Sequence, residues 1–431
     1  MAPRLYDVAV VGAGPGGSTC AWRLAKAGIK VALIDKASFP RQKACGGGLP
    51  ERIFRHGELP EFRSALEASS NSLVFESCLT GDRAYMPNDG PIVWQARRFV
   101  LDKAIFDQAV AAGAEPMLQT NVRSWEYGEG GVVLKTAAGP DAPARAIRAK
   151  AVVGAGGSRD LVAKVLRARE GLPPDWGPKE AHAATRIEPE VGEDVVEEFY
   201  GKERALWIHL NPRGVKGYGW VFPKKSSLNI GIAEFVIGER DVDLHELTRE
   251  YIHLLEKESL VPPGLDKVKV DGAWLPIGGP LPKTYTDNCL VIGDAAGFPS
   301  ALTGEGMWFA IDSGRLAGEA LIEALAKGDL TKAGLAPYEQ KWKAAFGKEL
   351  YTHLKWTRTF YKIPTRITRM AARDKQLVER GIATLTGVRK RGSSNRYFRT
   401  RVAVNALRYA FRPAPKDVKL PGHPAPAVPM R

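Results

Sequence analysis

Cysteine is scarce: a chain of 431 residues holds four, Cys20, Cys45, Cys78 and Cys289. So few thiols at such spacings make no disulfide framework and match no zinc pattern. No metal site is expected, and a reducing, cytoplasmic setting is the simplest one. Long apolar runs are missing too: none approaches the roughly 18 uncharged residues of a membrane-spanning helix. The N-terminus reaches Asp7 without an apolar stretch before a cleavage site, so a secretory signal is not expected. Acidic residues are lacking in one region only. Residues 353–431 hold 19 Lys and Arg but 3 Asp and Glu, a surplus of 16. The whole chain carries +14, which leaves residues 1–352 at −2. The body is neutral and the tail is basic. No zinc-finger, RNA-recognition or helix-turn-helix signature accompanies the charge, so nucleic acid is not an expected partner.

What is present is glycine in patterned places. "YDVAVVGAGPGGSTCAWRLAKAGIKVALIDK" reads as strand, glycine turn, helix and strand, a βαβ start within the first 36 residues. Gly12, Gly14 and Gly17 make GxGxxG at the strand-to-helix turn. The first glycine permits the tight turn, the second lets a pyrophosphate approach the backbone, and the third lets helix pack on strand. The helix N-terminus then offers N–H donors to the phosphates. Asp35 ends the second strand, 18 residues after Gly17, where a carboxylate can hold ribose hydroxyls.

A second segment chooses the nucleotide. "VIGDAAGFPSALTGEGMWFAIDSG" puts Gly293 and Asp294 just after a buried strand, and Gly304 and Gly306 before a helix that opens at Met307. An NAD dehydrogenase has no need of such an element so late in the body. In an FAD protein Asp294 can bond the ribityl chain, and N–H groups near Gly306 and Met307 can face the N1/O2 edge of the flavin. Between the two segments lies a β-rich insertion. "GYGWVFPKKSSLNIGIAEF" reads as a hairpin turning at residues 224–227, and residues 241–260 read as a helix.

Taken together, these motifs and Arg98 in "ARRF" resemble the FAD-dependent fold shared by aromatic hydroxylases, flavin halogenases and polyprenyl reductases. "FPRQKACGGGLP" is similar to the PCGGG loop of the geranylgeranyl reductase family, and "YGWVFPK" resembles that family's YxWxFP motif. The chain departs from the family at Ala44, where a Pro is usual, at Ala301, and at "GAGG" in place of GADG. The resemblance implies an α/β fold: an FAD-binding, Rossmann-like domain of the aromatic hydroxylase type from residues 1–70, 97–170 and 275–335. Into it an antiparallel β-sheet substrate domain (71–96 and 180–274) is inserted, and a basic helical region with a Pro-rich tail follows (336–431). It also implies that Ala13, Pro15, Gly16, Lys36, Arg41, Ala44, Cys45, Gly46, Arg98 and Val122 join the residues named above around FAD. Cys45 is the expected catalytic residue. Gly47, Gly48, Tyr218, Trp220 and Phe222 are expected to meet an isoprenoid substrate, since alternate residues of a strand share one face.

The implied reaction is saturation of C=C bonds in a prenyl chain. A thiol with a pKa of about 8.5 is a weak acid for protonating an alkene, so the proton donor stays open. So does the electron donor: no second GxGxxG is present, and NADPH or a small ferredoxin-type protein both remain. A flavin monooxygenase or halogenase on the same fold is the rival reading. The basic tail is expected to reach an anionic membrane surface. In its second run Val402, Ala406 and Tyr409 share a helical face, with Arg399, Arg401, Arg408 and Arg412 supplying charge.

Overall fold

The computed structural model describes residues 5–55, 57–137, 145–236, 243–386, 404, 405 and 408. Tyr6, Val8, Ala9 and Val10 are almost wholly buried because Leu5–Val11 is an inner strand of an eight-stranded sheet. It pairs in parallel with Val31–Ile34 on one side and Arg145–Gly154 on the other. A strand covered on both faces reads as a near-continuous apolar run, and in this one only Asp7 interrupts it. Cys289–Val291 lies parallel to Arg145–Gly154, so the late strand stands two places from the first. Helix Pro15–Lys26 packs between helices Arg98–Ala111 and Met307–Lys327. The last crossing is close, for Gly314 lies under the carbonyl of Gly16 with no room for a Cβ.

A seven-stranded sheet forms the second layer, in the order Asp271–Pro276, Ala181–Ile187, Leu228–Glu234, Gly217–Pro223, Leu206–Leu210, Ser72–Ser77 and Arg83–Pro87. The expected hairpin is there, closed by Lys224 N donating to Ser227 O at 2.9 Å. The sheet is not wholly antiparallel, as it was expected to be. Leu206–Leu210 runs parallel to Ser72–Ser77. These strands come from distant chain segments with a return to the first sheet between them, so no hairpin forces them to oppose. The strands read between residues 72 and 94 also divide. Two join the second sheet, whereas Val93–Gln95 pairs with Gly48–Pro50 and Ala68–Ser70 in a small third sheet.

Helix Leu244–Lys257, capped by Asp243, covers one face of the second sheet with Leu247, Tyr251, Ile252 and Leu255. It is shorter than the span read from the sequence. The opposite face carries Leu210, Trp220, Ala233 and Phe235 against Ala301 and Tyr361. The space between the layers is therefore where the two sequence segments meet. Helices Lys332–Trp342, Lys348–Lys362, Pro364–Ala371 and Lys375–Thr386 follow. No described helix is long and apolar enough to cross a membrane. Of the basic run through Val402, Ala406 and Tyr409, all but Arg408 of the residues named above lie outside the described residues, as does the Pro-rich segment 413–431.

Candidate active site

The glycine turn is held by its own backbone. Gly12 has φ +108°, and a Cβ there would overlap the carbonyl of Ala155. A Cβ at Gly17 would overlap the carbonyl of Gly12. Gly14 is different: its nearest neighbour on that side is the mobile end of Arg41, 3.3 Å from the Cβ position. Asp35 braces the turn, with one oxygen accepting from Ala13 N at 2.8 Å and the other from Ala37 N at 2.9 Å. Lys36 is exposed beside it. Val122 lies in the strand Asn121–Gly128, two residues from Thr120, whose N–H donates to Asp35 O at 2.9 Å.

Positive charge gathers at the open side of this turn. Arg98 grips Asp102 through two hydrogen bonds of 2.7 and 2.8 Å, and Arg41 reaches the same carboxylate at 3.2 Å. Burial works against the Arg98 cation, but Asp102 and the neighbouring Cys45 hold it charged. One carboxylate balances only one of the two guanidiniums. The surplus positive charge stands beside Gly14 and a helix whose first turn has no side-chain cap and no acidic residue. That donor set fits the pyrophosphate of FAD.

The Cys45 loop closes over this region and is pinned from the second sheet. Cys45 O accepts from Asn229 Nδ2 at 2.9 Å, and Asn229 Oδ1 accepts from Trp220 Nε1 at 2.8 Å. A Cβ at Gly46 would stand 3.0 Å from the Phe222 ring. Gly47, with φ +77°, lies tight against Ala96 O and the Lys224 ammonium, and Gly48 opens the strand paired with Val93–Gln95. Tyr218, Trp220 and Phe222 form a row with ring centroids 5.8 and 6.1 Å apart. Phe235 and Tyr361 extend it by stacking at 5.2 and 5.3 Å.

The late segment comes to the same place. Gly293, with φ +55°, donates its N–H to Ser313 Oγ at 3.1 Å and turns Asp294 toward Lys43, 3.8 Å away. Gly304 lies under Tyr218, whose hydroxyl donates to Thr303 O at 2.6 Å. Gly306 is the N-cap of the helix starting at Met307, with Asp294 Oδ1 3.5 Å from its Cβ position.

Residues 5–350 match the family model described as FAD binding domain. The chain is 30% identical to the digeranylgeranylglycerophospholipid reductase of Methanocaldococcus jannaschii, over 83% of this chain and 88% of that one. It is 31% identical to digeranylgeranylglycerophospholipid reductase 2 of Methanopyrus kandleri, over 82% and 86%. This protein belongs to the geranylgeranyl reductase family of FAD-dependent oxidoreductases. A solved structure of a geranylgeranyl bacteriochlorophyll reductase-like protein from Thermoplasma acidophilum has the same fold, with a TM-score of 0.73 at 21% identity, covering 88% of this chain and 96% of that one.

Around the family's motifs stand residues that the sequence reading passed over. Asp102 follows Arg98 by four residues on one helix face, a spacing that signals an ion pair. Lys224 is the last residue of "YGWVFPK" and is fully buried. Its ammonium donates to Ala96 O at 2.8 Å and to Glu188. Burial lowers its pKa, and Glu188 opposes that shift. Glu188 also accepts from Asn229, so one acidic group ties strand, hairpin and Cys45 loop together. Nothing local in the sequence announces Glu188 or Asn229. Cys20, Cys78 and Cys289 are buried and free, and burial pushes the Cys20 thiol up to about 12.

Proposed function

We propose that this protein saturates carbon–carbon double bonds in the prenyl chain of an isoprenoid lipid. Residues 1–70, 97–170 and 275–335 serve the cofactor in this reading, and 71–96 with 180–274 serve the substrate. The observation that carries it is the meeting of the Cys45 loop with the aromatic row. Each polar tip of that row is already satisfied: Tyr218 by Thr303, Trp220 by Asn229, and Tyr361 by Leu302 at 2.6 Å. Trp220, Phe235 and Tyr361 are themselves buried, so the ring surface left to present is that of Tyr218 and Phe222, which suits an apolar chain that has nothing to hydrogen-bond. The similarity to two digeranylgeranylglycerophospholipid reductases supports the same class of substrate.

When bound and reduced, FAD supplies the hydride. The protein's own residues do the rest. Arg98, Arg41 and the turn at Gly14 hold the anionic end of the cofactor. Asn229 and Lys224 fix the Cys45 loop, and the row from Tyr218 to Phe222 holds the alkene and keeps water away. The decisive experiment is anaerobic: dithionite-reduced protein with geranylgeranyl lipids is expected to yield products heavier by two hydrogens per step. NADPH and a reduced ferredoxin, in separate arms, identify the electron donor. An oxygenated product with strict O₂ dependence would overturn the reading. Cys45→Ser is expected to keep FAD and lose turnover; unchanged turnover would return Cys45 to packing.

Helix Lys348–Lys362 offers a docking face for the membrane that holds such lipids. Tyr351 is 46% exposed and shares one side of the helix with Lys355, Arg358 and Lys362, with Leu354, 40% exposed, at its edge. The same helix sends Tyr361 into the aromatic row. Each cation near an anionic bilayer contributes about 1 kcal/mol. Sedimentation with anionic vesicles is expected, and Tyr351→Ser with Leu354→Ser weakens it. Equal binding to neutral vesicles would overturn the electrostatic part.

A further inference from the structure

Saturating an alkene consumes a proton as well as a hydride, and a buried cluster of charges includes the loop from Gly304 to Gly306. Glu305 sits between Gly304, whose Cβ position is 3.4 Å from Tyr218 Oη, and Gly306, beside Asp294. Its carboxyl group turns inward. Oε1 accepts from Trp308 N at 2.7 Å, and Oε2 stands 3.8 Å from Arg52 Nη2 with no hydrogen-bond partner. Arg52 stacks on Trp308 at 3.9 Å and donates to Glu349 Oε2 at 2.7 Å. Glu349 Oε1 and Arg52 Nε are likewise buried without partners.

Two carboxylates thus share one guanidinium in a place that is 8% to 21% exposed. The other titratable groups facing them do not cancel the excess. Asp294 adds negative charge near Glu305 but faces Lys43, 3.8 Å away, so that pair leaves the balance of the cluster as it was. His353, 4.0 Å from Glu349 and hydrogen-bonded to Ser300 at 2.8 Å, has its pKa lowered by burial, which works against a compensating positive charge there. An uncompensated buried negative charge is costly, and taking up one proton removes it.

We propose that Glu305 is the proton donor of the reaction and that Arg52 and Glu349 position it. The inference rests on the reductase reading above. As hydride from the reduced cofactor forms one C–H bond, the π electron pair of the alkene takes the proton of Glu305 to form the other. Glu305 is left as a carboxylate facing Arg52 and regains a proton from solvent past Glu349 and His353. Burial pushes its pKa up to about 7, with Arg52 opposing. Glu305 donates only when protonated, so turnover is full below that value and falls as pH rises through it.

Glu305→Gln preserves an acceptor for Trp308 N and removes the titratable proton, leaving an amide N–H donor on the side of Arg52. In infrared spectra of FAD-loaded protein, the protonated-carboxyl band is expected to disappear as pH rises through about 7 and to be absent from Glu305→Gln. That variant keeps its flavin and loses about a hundredfold in kcat. Glu349→Gln removes the neighbouring negative charge, eases ionisation of Glu305, and moves the falling limb of the pH profile to lower pH. Wild-type kcat in Glu305→Gln, or a band that survives in it, would overturn the proposal. Wild-type protein inert toward every prenyl lipid would overturn the reductase reading and this use of the proton together, and the infrared titration tells that failure from a cluster that binds no proton.

Discussion

The chain has two glycine runs that look alike on paper, Gly12–Gly17 and Gly46–Gly48, and they are held for different reasons. In the first, the obstacles are backbone atoms: Gly12 faces Ala155 O and Gly17 faces Gly12 O. In the second, most of the obstacles are side chains from a different layer. Phe222 crowds Gly46, and Lys224, with the carbonyl of Ala96, crowds Gly47. The first run is a device of one supersecondary unit and belongs to any βαβ nucleotide site. The second is a joint between two sheets, where the loop that carries Cys45 is set by the aromatic strand. Gly46 is expected beside FAD, and Gly47 and Gly48 beside the substrate, and the structure gives all three a packing role as well. They also let the loop lie close against the strand that carries the aromatic row.

Substitutions can separate the two kinds of glycine. Gly17→Ala drives a methyl group into a main-chain carbonyl that cannot move without the turn. A loss on the order of 4 kcal/mol is expected, with no flavin retained by the purified protein. Flavin-to-protein absorbance ratios and thermal melts read it, and a yellow, stable Gly17→Ala protein would contradict the backbone account.

Gly47→Ala comes next. It combines a positive φ with a clash against Ala96 O, and about 1–3 kcal/mol should be lost. The glycine turn is untouched, so FAD is retained while turnover collapses. Loss of both together would mean that the two runs are not separable.

Gly46→Ala should have the smallest effect, because the atom in the way is the edge of the Phe222 ring. If the joint is made of side chains, the cost of Gly46→Ala falls in a Phe222→Ala background. The coupling in the double-mutant cycle is expected to be roughly 0.5–3 kcal/mol. No coupling would place the constraint elsewhere in the loop.

The same distinction runs through what could be read from the chain. The βαβ unit, the FAD assignment, and the hairpin through Tyr218, Trp220 and Phe222 were legible by themselves. Each depends on periodicity or on turn residues within about twenty positions, and local sterics act over that range. The parallel pairing of Ser72–Ser77 with Leu206–Leu210 was not legible, nor was the small sheet behind the Cys45 loop. Partners in a sheet are chosen by what else must be covered, and no turn linked these strands. The Glu305–Arg52–Glu349 cluster was hidden most deeply. Arg52 and Glu349 are 297 residues apart, and each alone is an ordinary charged residue. Their meaning comes from low dielectric and shared proximity, which exist only after the two layers and the C-terminal helix have closed around them.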